Sequence, residues 1–344
     1  MSDRFDPLDA YSHGLMGCQA NPRADEELVD SIIRHGGDPD GGQVAHAWEF
    51  ADKGKGKLSL LFPAIDEVFP GALPGPAQLW GDCVGAAAAN CYLASLAQEI
   101  KEGRPDEVTG HVEGPPDIPE LGVRQGVVAR ESIFAWRGWT EPNGRGKSSD
   151  GWFCSAAAKA VTEKGVLVRK PYPELGFDLT KYTNETIRLG GSTRPSDKWF
   201  AESKKNIVRS ATFVRGREQV RDFIAAGYGV FQCSSLGFNG TRDENGVAEP
   251  PRSTKTWHHA QVWTGYDDRE ITIKRYGQPL VLWTNSWGAW NRGPRRIIGT
   301  AIDIPPGSYW AYASTIDQCQ CIALSSVAGW PRRQHTTFGA AGNI

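Results

Sequence analysis

Gln78-Leu79-Trp80-Gly81-Asp82-Cys83-Val84-Gly85-Ala86-Ala87-Ala88-Ala89-Asn90-Cys91 reads as a loop entering a helix. Asp82 is the N-cap candidate for the alanine-rich run behind it. Cys83 then falls in the first helical turn. The partial positive charge there favours a thiolate and lowers the thiol pKa. Such a cysteine is a candidate nucleophile if a base stands elsewhere in the chain. Cysteine followed by apolar residues is also the pattern of a small buried hydrophobe, so the downstream sequence decides. Ala88, Cys91, Tyr92, Leu96 and Ile100 keep helical spacing, and Gly103-Arg104-Pro105 ends the predicted helix.

A base and its orienter appear far downstream. Trp257-His258-His259-Ala260-Gln261-Val262-Trp263-Thr264-Gly265-Tyr266 has a strand pattern with a histidine at its start, and Leu280 to Thr284 leads into Asn285-Ser286-Trp287-Gly288. Cys, His, Asn is the order of the papain-like cysteine peptidases, and these two blocks closely resemble that family's histidine and asparagine motifs. The resemblance spans roughly residues 61–322. It implies an α+β, papain-like two-lobed fold, with a helical left lobe (about 61–195), an antiparallel β right lobe (about 196–322) and the active-site cleft between them.

The resemblance also implies roles. Cys83 would be the nucleophile. His259 would pair with its thiolate and later protonate the leaving amine. Asn285 would fix the imidazole, with Trp287 covering that bond and Asp82 in support. Gln78 and the Cys83 N–H would bind the oxyanion. Gly151, Trp152 and Trp257 are the expected substrate-binding positions, the Gly151 backbone pairing with an extended peptide because no side chain intervenes. His259 is chosen over His258 because Ala260, Gly265 and Tyr266 then keep the family register. Neighbours on a strand face opposite ways, so only one of the two can face Cys83.

The chain departs from the family pattern in several places. Gln78 stands five residues before Cys83 where six is usual, and Val84 replaces the usual tryptophan. Trp80 occupies the position of a cysteine that forms a disulfide in secreted relatives. The Cys-to-His separation exceeds the roughly 130–150 residues of the family, which implies insertions. The expected activity is peptide-bond hydrolysis through a Cys83 thioester, on a peptide or protein substrate. Two alternatives stand beside it. One is a non-catalytic structural or binding protein with the same fold, such as a virus-particle component with assembly or virion partners. The other is an amidase or transpeptidase on cell-wall peptides.

The bulk numbers exclude other classes. With 40% hydrophobic and 23% charged residues among 344, the chain has the composition of a globular protein. A net charge of −2 gives no reason to expect nucleic acid as a partner. No apolar run predicts a membrane span and no secretory signal is visible, so a cytoplasmic or particle-associated location in a bacterial or phage setting is expected. Seven cysteines, an odd number at scattered spacings, argue against a complete disulfide framework and fit a reducing compartment. Cys91, Cys154 and Cys233 read as core residues. Cys319, Cys321, His258 and His259 could ligate metal, but no Cys-x-x-Cys pair exists, so neither metal nor cofactor is expected.

Residues 1–60 read as an extension with one helix at about 25–35 and a Lys53–Lys57 loop. Residues 104–130 read as a long surface loop, and 323–344 as a polar tail. Helices are predicted at about 154–165 and 217–226. Strands are predicted at about 228–233, 259–265, 270–275, 280–285 and 308–313.

Overall fold

The computed structural model describes residues 18, 21–34, 51–101, 117–118, 123–124, 126–137, 151–192, 195–326, 330 and 337–338. Its helices are α1 (Pro22–Arg34), α2 (Phe62–Val68), α3 (Cys83–Lys101), α4 (Arg130–Ala135), α5 (Cys154–Glu163), α6 (Asn184–Ser192), α7 (Asp197–Ser203), α8 (Gly216–Ala225) and α9 (Glu270–Tyr276). Two small ladders, β2 (Asp117–Ile118) with β3 (Val123–Arg124) and β4 (Pro171–Tyr172) with β5 (Phe177–Asp178), stand apart from the main sheet. That sheet is eight-stranded and antiparallel. It comprises β1 (Leu58–Leu60), β6 (Ser210–Val214), β7 (Val230–Gly237), β8 (Lys255–Asp267), β9 (Leu280–Thr284), β10 (Tyr309–Tyr312), β11 (Gln320–Ser325) and β12 (Thr337–Phe338). The order is β10-β9-β8-β7-β11-β6, with β1 joining β8 to β12. Helices precede the main sheet strands along most of the chain, giving the expected α+β class.

α3 holds the two halves together. Nearly every side chain from Cys83 to Glu99 is buried, so the helix is apolar all round rather than on one stripe. Its first half packs with Ile133, Trp136 and Val161 of the helical half and with Phe231, Val262 and Ile322 of the sheet. Leu93 and Leu96 of its second half join a second core with Trp263, Trp283 and Trp310. Small side chains in the first half permit close approach. At Gly85 a Cβ would come 3.0 Å from the Arg130 carbonyl oxygen. The α5 terminus is similarly tight. Gly165, at φ 79, would place a Cβ against the Ser203 carbonyl, so only glycine fits there.

Several elements differ from the sequence reading. Residues 270–275 form α9, not a strand. Ile271 and Ile273 alternate along it, yet both are exposed and Thr272 is the buried residue. Its hydroxyl donates to Asp267 Oδ2 at 2.7 Å, and Asp267 also receives Arg269. That polar turn starts a helix and overrides the period-two pattern. Within the predicted 104–130 loop, the described residues include the β2–β3 ladder and the start of α4. Residues 323–325, read as the beginning of a tail, lie in β11 between β6 and β7. Trp330 is buried against Phe223 and Tyr228. β1 places residues 58–60 in the sheet, and α1 packs on α5. Gly103 to Pro105 lie outside the described residues, as does most of the N-terminal extension. Among the described residues, no helix is long and apolar enough to cross a membrane.

Candidate active site

His259 is carried near the start of β8, beside an irregularity in its pairing with β7 at Ser234 to Leu236. His258, immediately before it, is exposed and holds φ 48, in the left-handed region that non-glycine residues rarely occupy. His259 is wholly buried. Its Nε2 lies 2.8 Å from Asn285 Oδ1. The same Oδ1 accepts the Ser286 backbone N–H at 2.7 Å. A backbone N–H can only donate, so the Asn285 atom must be the oxygen. The imidazole Nε2 must then carry the proton, which leaves the lone pair on Nδ1. Nδ1 is buried and makes no hydrogen bond among the described residues. Trp287 stacks on the imidazole with ring centres 4.6 Å apart, shielding the His–Asn pair.

Trp257 lies behind this stack, 4.9 Å from the Trp287 ring and 3% exposed. Its place depends on Gly237, where a Cβ would fall 2.6 Å from the Trp257 indole. It stands in an aromatic cluster with the buried Trp287 and the partly buried Trp290.

The loop before α3 is tied to the asparagine end by Gln78. Its backbone N–H donates to Ser286 O at 2.8 Å, and the Ser286 hydroxyl donates to Gln78 Oε1. Gln78 Nε2 donates to Trp80 O at 2.9 Å. An amide nitrogen carries two hydrogens, and the resemblance makes this side chain the candidate oxyanion donor. Asp82 stands at the N-cap position, its carbonyl accepting from Ala86 N at 2.9 Å. Its carboxylate does not cap the helix. It pairs with Arg130 Nε at 3.0 Å and accepts from the Tyr182 hydroxyl at 3.1 Å. Burial pushes the Asp82 carboxyl up to about 6, against the opposing pull of Arg130. Cys83 is not in a disulfide, and it begins α3 with no exposed surface.

Gly151, at φ 98, donates its N–H to Gly81 O at 3.1 Å and accepts Arg137 Nη1 at 3.2 Å. Both its backbone groups are therefore used internally. Trp152, the next residue, forms a parallel bridge with Cys18. The sequence reading missed Ser286 as the holder of Gln78, Arg130 and Tyr182 as partners of Asp82, and Cys18 altogether. The Asn-Ser-Trp-Gly block contained the first. No local signal marks the others.

Burial drives the His259 pKa down to about 4, with Asn285 opposing. The folded chain therefore resists protonation there, while the unfolded chain takes a proton near 6.5. Stability from this group is present above pH 6.5 and is lost as pH falls toward 4. Asp82 acts in the opposite sense. Its raised pKa contributes stability at low pH that is lost as pH rises through 3.8 to about 6. The two slopes offset each other between pH 4 and 6. Comparing wild type with His259→Gln isolates the first: the stability difference should shift by about 3 kcal/mol between pH 7 and 4. Urea unfolding at the two pH values measures it, and an unchanged difference would disprove a neutral buried imidazole.

No protein-family model matches the chain, and no curated protein sequence matches it. In three dimensions it is similar to xylellain, a cysteine protease from Xylella fastidiosa, at 17% identity and TM-score 0.48, over 79% of this chain and 86% of that one. It is also similar to digestive procathepsin L 3 of Tenebrio molitor larval midgut, at 11% identity and TM-score 0.40, over 92% and 96%. A third similarity is to the cysteine protease and lectin-like domains of Cwp84, a surface layer associated protein of Clostridium difficile. There the identity is 14% and the TM-score 0.42, over 74% of this chain and 49% of that one.

Proposed function

We propose that this chain is a papain-like cysteine peptidase that hydrolyses peptide bonds through a thioester on Cys83. The observation that carries the reading is the Asn285 oxygen shared by His259 Nε2–H and the Ser286 N–H, which leaves His259 Nδ1 as a lone-pair base. Cys83 gives its proton to Nδ1 and attacks the substrate carbonyl carbon. The α3 N-terminus favours the thiolate. The oxyanion takes hydrogen bonds from the Cys83 N–H and Gln78 Nε2–H; first-turn amides have no acceptor within their own helix. His259 returns the proton to the amine as the C–N bond breaks. It then takes a proton from water, which attacks the thioester and releases the acid and the Cys83 thiol.

The experiment is the pH dependence of Cys83 alkylation by iodoacetamide, in wild type and in His259→Ala. Fast labelling below pH 7 that disappears with His259 supports an activated pair. Labelling that rises only near the ordinary thiol pKa of about 8.5 would overturn the reading. Gln78→Ala should lower turnover by about 100- to 1000-fold with a smaller change in KM, as loss of one oxyanion donor does. Steady-state kinetics on a fluorogenic peptide check it, and unchanged turnover would remove Gln78 from the site.

A second reading, a binding or structural protein of the same fold, is favoured by one observation: Cys83 and His259 have no exposed surface. Absence of turnover on denatured proteins and on cell-wall peptides, with fast Cys83 alkylation absent as well, would select it. Turnover on cell-wall peptides alone would move the substrate class to that of an amidase or transpeptidase.

A further inference from the structure

Three cysteines far apart in the chain meet in one place. Cys18 comes from the N-terminal segment, Cys154 is the first residue of α5, and Cys233 lies in β7. All three are buried, with their sulfurs within 4.8 Å of one another. Cys233 has its Cα 5.9 Å from that of Cys18 and 6.1 Å from that of Cys154. Both separations fall inside the range a disulfide spans, roughly 4.4–6.8 Å. A sulfur can hold only one disulfide. Cys233 can therefore be bonded to Cys18 or to Cys154, and either bond leaves the third thiol against it.

The cluster also adjoins the candidate active site. The Cys18 N–H donates to His258 O at 2.9 Å, one residue before His259. Cys18 is bridged to Trp152, next to the Gly151 turn that holds Gly81 of the nucleophile loop. Its backbone thus occupies the edge where an extended peptide would pair. Cys83 and His259 have no exposed surface with Cys18 seated there.

We propose that Cys18, Cys154 and Cys233 form a thiol–disulfide exchange site whose state governs access to Cys83. Its reaction partner is a dithiol or glutathione-class thiol. This rests on the reading of Cys83 as the nucleophile. In the closed form Cys18 is bonded to Cys233 and is held at the Trp152 edge. The Cys154 thiolate attacks the Cys233 sulfur, a Cys154–Cys233 bond forms, and Cys18 leaves as a thiolate that takes up the proton Cys154 lost. No oxidant is consumed in that exchange. Reduction by a dithiol also opens the cleft: two electrons convert the disulfide to two thiols, and the reductant becomes a disulfide. The Cys154–Cys233 form keeps a brace between α5 and β7 while Cys18 is released.

The test uses the full chain purified without reductant. Disulfide mapping by mass spectrometry should find Cys18–Cys233 and Cys154–Cys233 peptides, together one bond per chain. Iodoacetamide should label Cys83 about tenfold or more faster after reduction and removal of the reductant, in proportion to the open population. Cys18→Ser should label fast without reduction. Cys154→Ser, which traps the Cys18–Cys233 bond, should label slowly until reduced. Equal labelling with and without reduction overturns the proposal. So do three reduced thiols holding a bound zinc ion. A mapped exchange pair with a Cys83 that labels in no state overturns the nucleophile reading, and control of access falls with it.

Discussion

Cys83→Ala is expected to abolish peptide hydrolysis while leaving the chain folded. Without the sulfur no thioester can form, and what survives is the catalysis that binding and oxyanion contacts supply alone. The expected loss in turnover is about 10⁴- to 10⁶-fold. The structural cost is small by comparison. Cys83 is wholly buried at the start of α3 among Val84, Ala87 and Ala88, so its removal leaves a cavity of one sulfur and costs about 1 kcal/mol. Activity and stability should therefore separate. His259→Ala should lose about as much turnover, and the double variant no more than either single one, because nucleophile and base act as a unit. Fluorogenic peptide kinetics beside thermal melting followed by circular dichroism measure both quantities. Full activity in Cys83→Ala would end the peptidase reading.

Arg130→Met is expected to be the most destabilising single change near the site. The Arg130 guanidinium lies 3.0 Å from the Asp82 carboxylate, and 3.6 Å over the Tyr182 ring. Asp82 has no exposed surface and Arg130 is 7% exposed. Removing the cation leaves a buried carboxylate that, among the described residues, has only the Tyr182 hydroxyl donating to it from a side chain. The expected loss is about 3–5 kcal/mol. The sign with pH is fixed. The Asp82 pKa is already raised, and without Arg130 it rises further, so the deficit is greatest at alkaline pH and shrinks as the carboxyl takes a proton. Asp82→Asn with Arg130→Met should recover most of the loss, because neither charge of the pair remains. Urea unfolding at pH 8 and pH 5 checks both statements. A deficit independent of pH would mean that Arg130 acts by packing alone. The pair adjoins Cys83, so the α3 N-terminus depends on it.

Some of this architecture was legible locally. The Gly-Asp step and the alanine run marked the start of α3, because capping and helical spacing are decided within a few residues. The predicted helices at 154–165 and 217–226 correspond to α5 (Cys154–Glu163) and α8 (Gly216–Ala225) for the same reason. Local reading failed where a tertiary contact overrode the pattern. Ile271 and Ile273 imitated a strand, but Thr272 and Arg269 are fastened to Asp267, which turns the chain into a helix.

The sequence alone determined which residue types were present, their order and their local conformation: a cysteine at a helix start, a histidine in a strand, an asparagine after the next strand. Only the tertiary structure decided which of them meet. Ser286 reaches Gln78 across 208 positions, Arg130 comes to Asp82 from a different helix, and Cys18 comes to Cys233 across 215. The odd cysteine count argued against a complete disulfide framework, and three cysteines converge. Periodicity and capping are short-range and show in the letters. Pairing of buried polar and sulfur groups depends on how α3 and the sheet pack, because each group must find a partner once water is excluded.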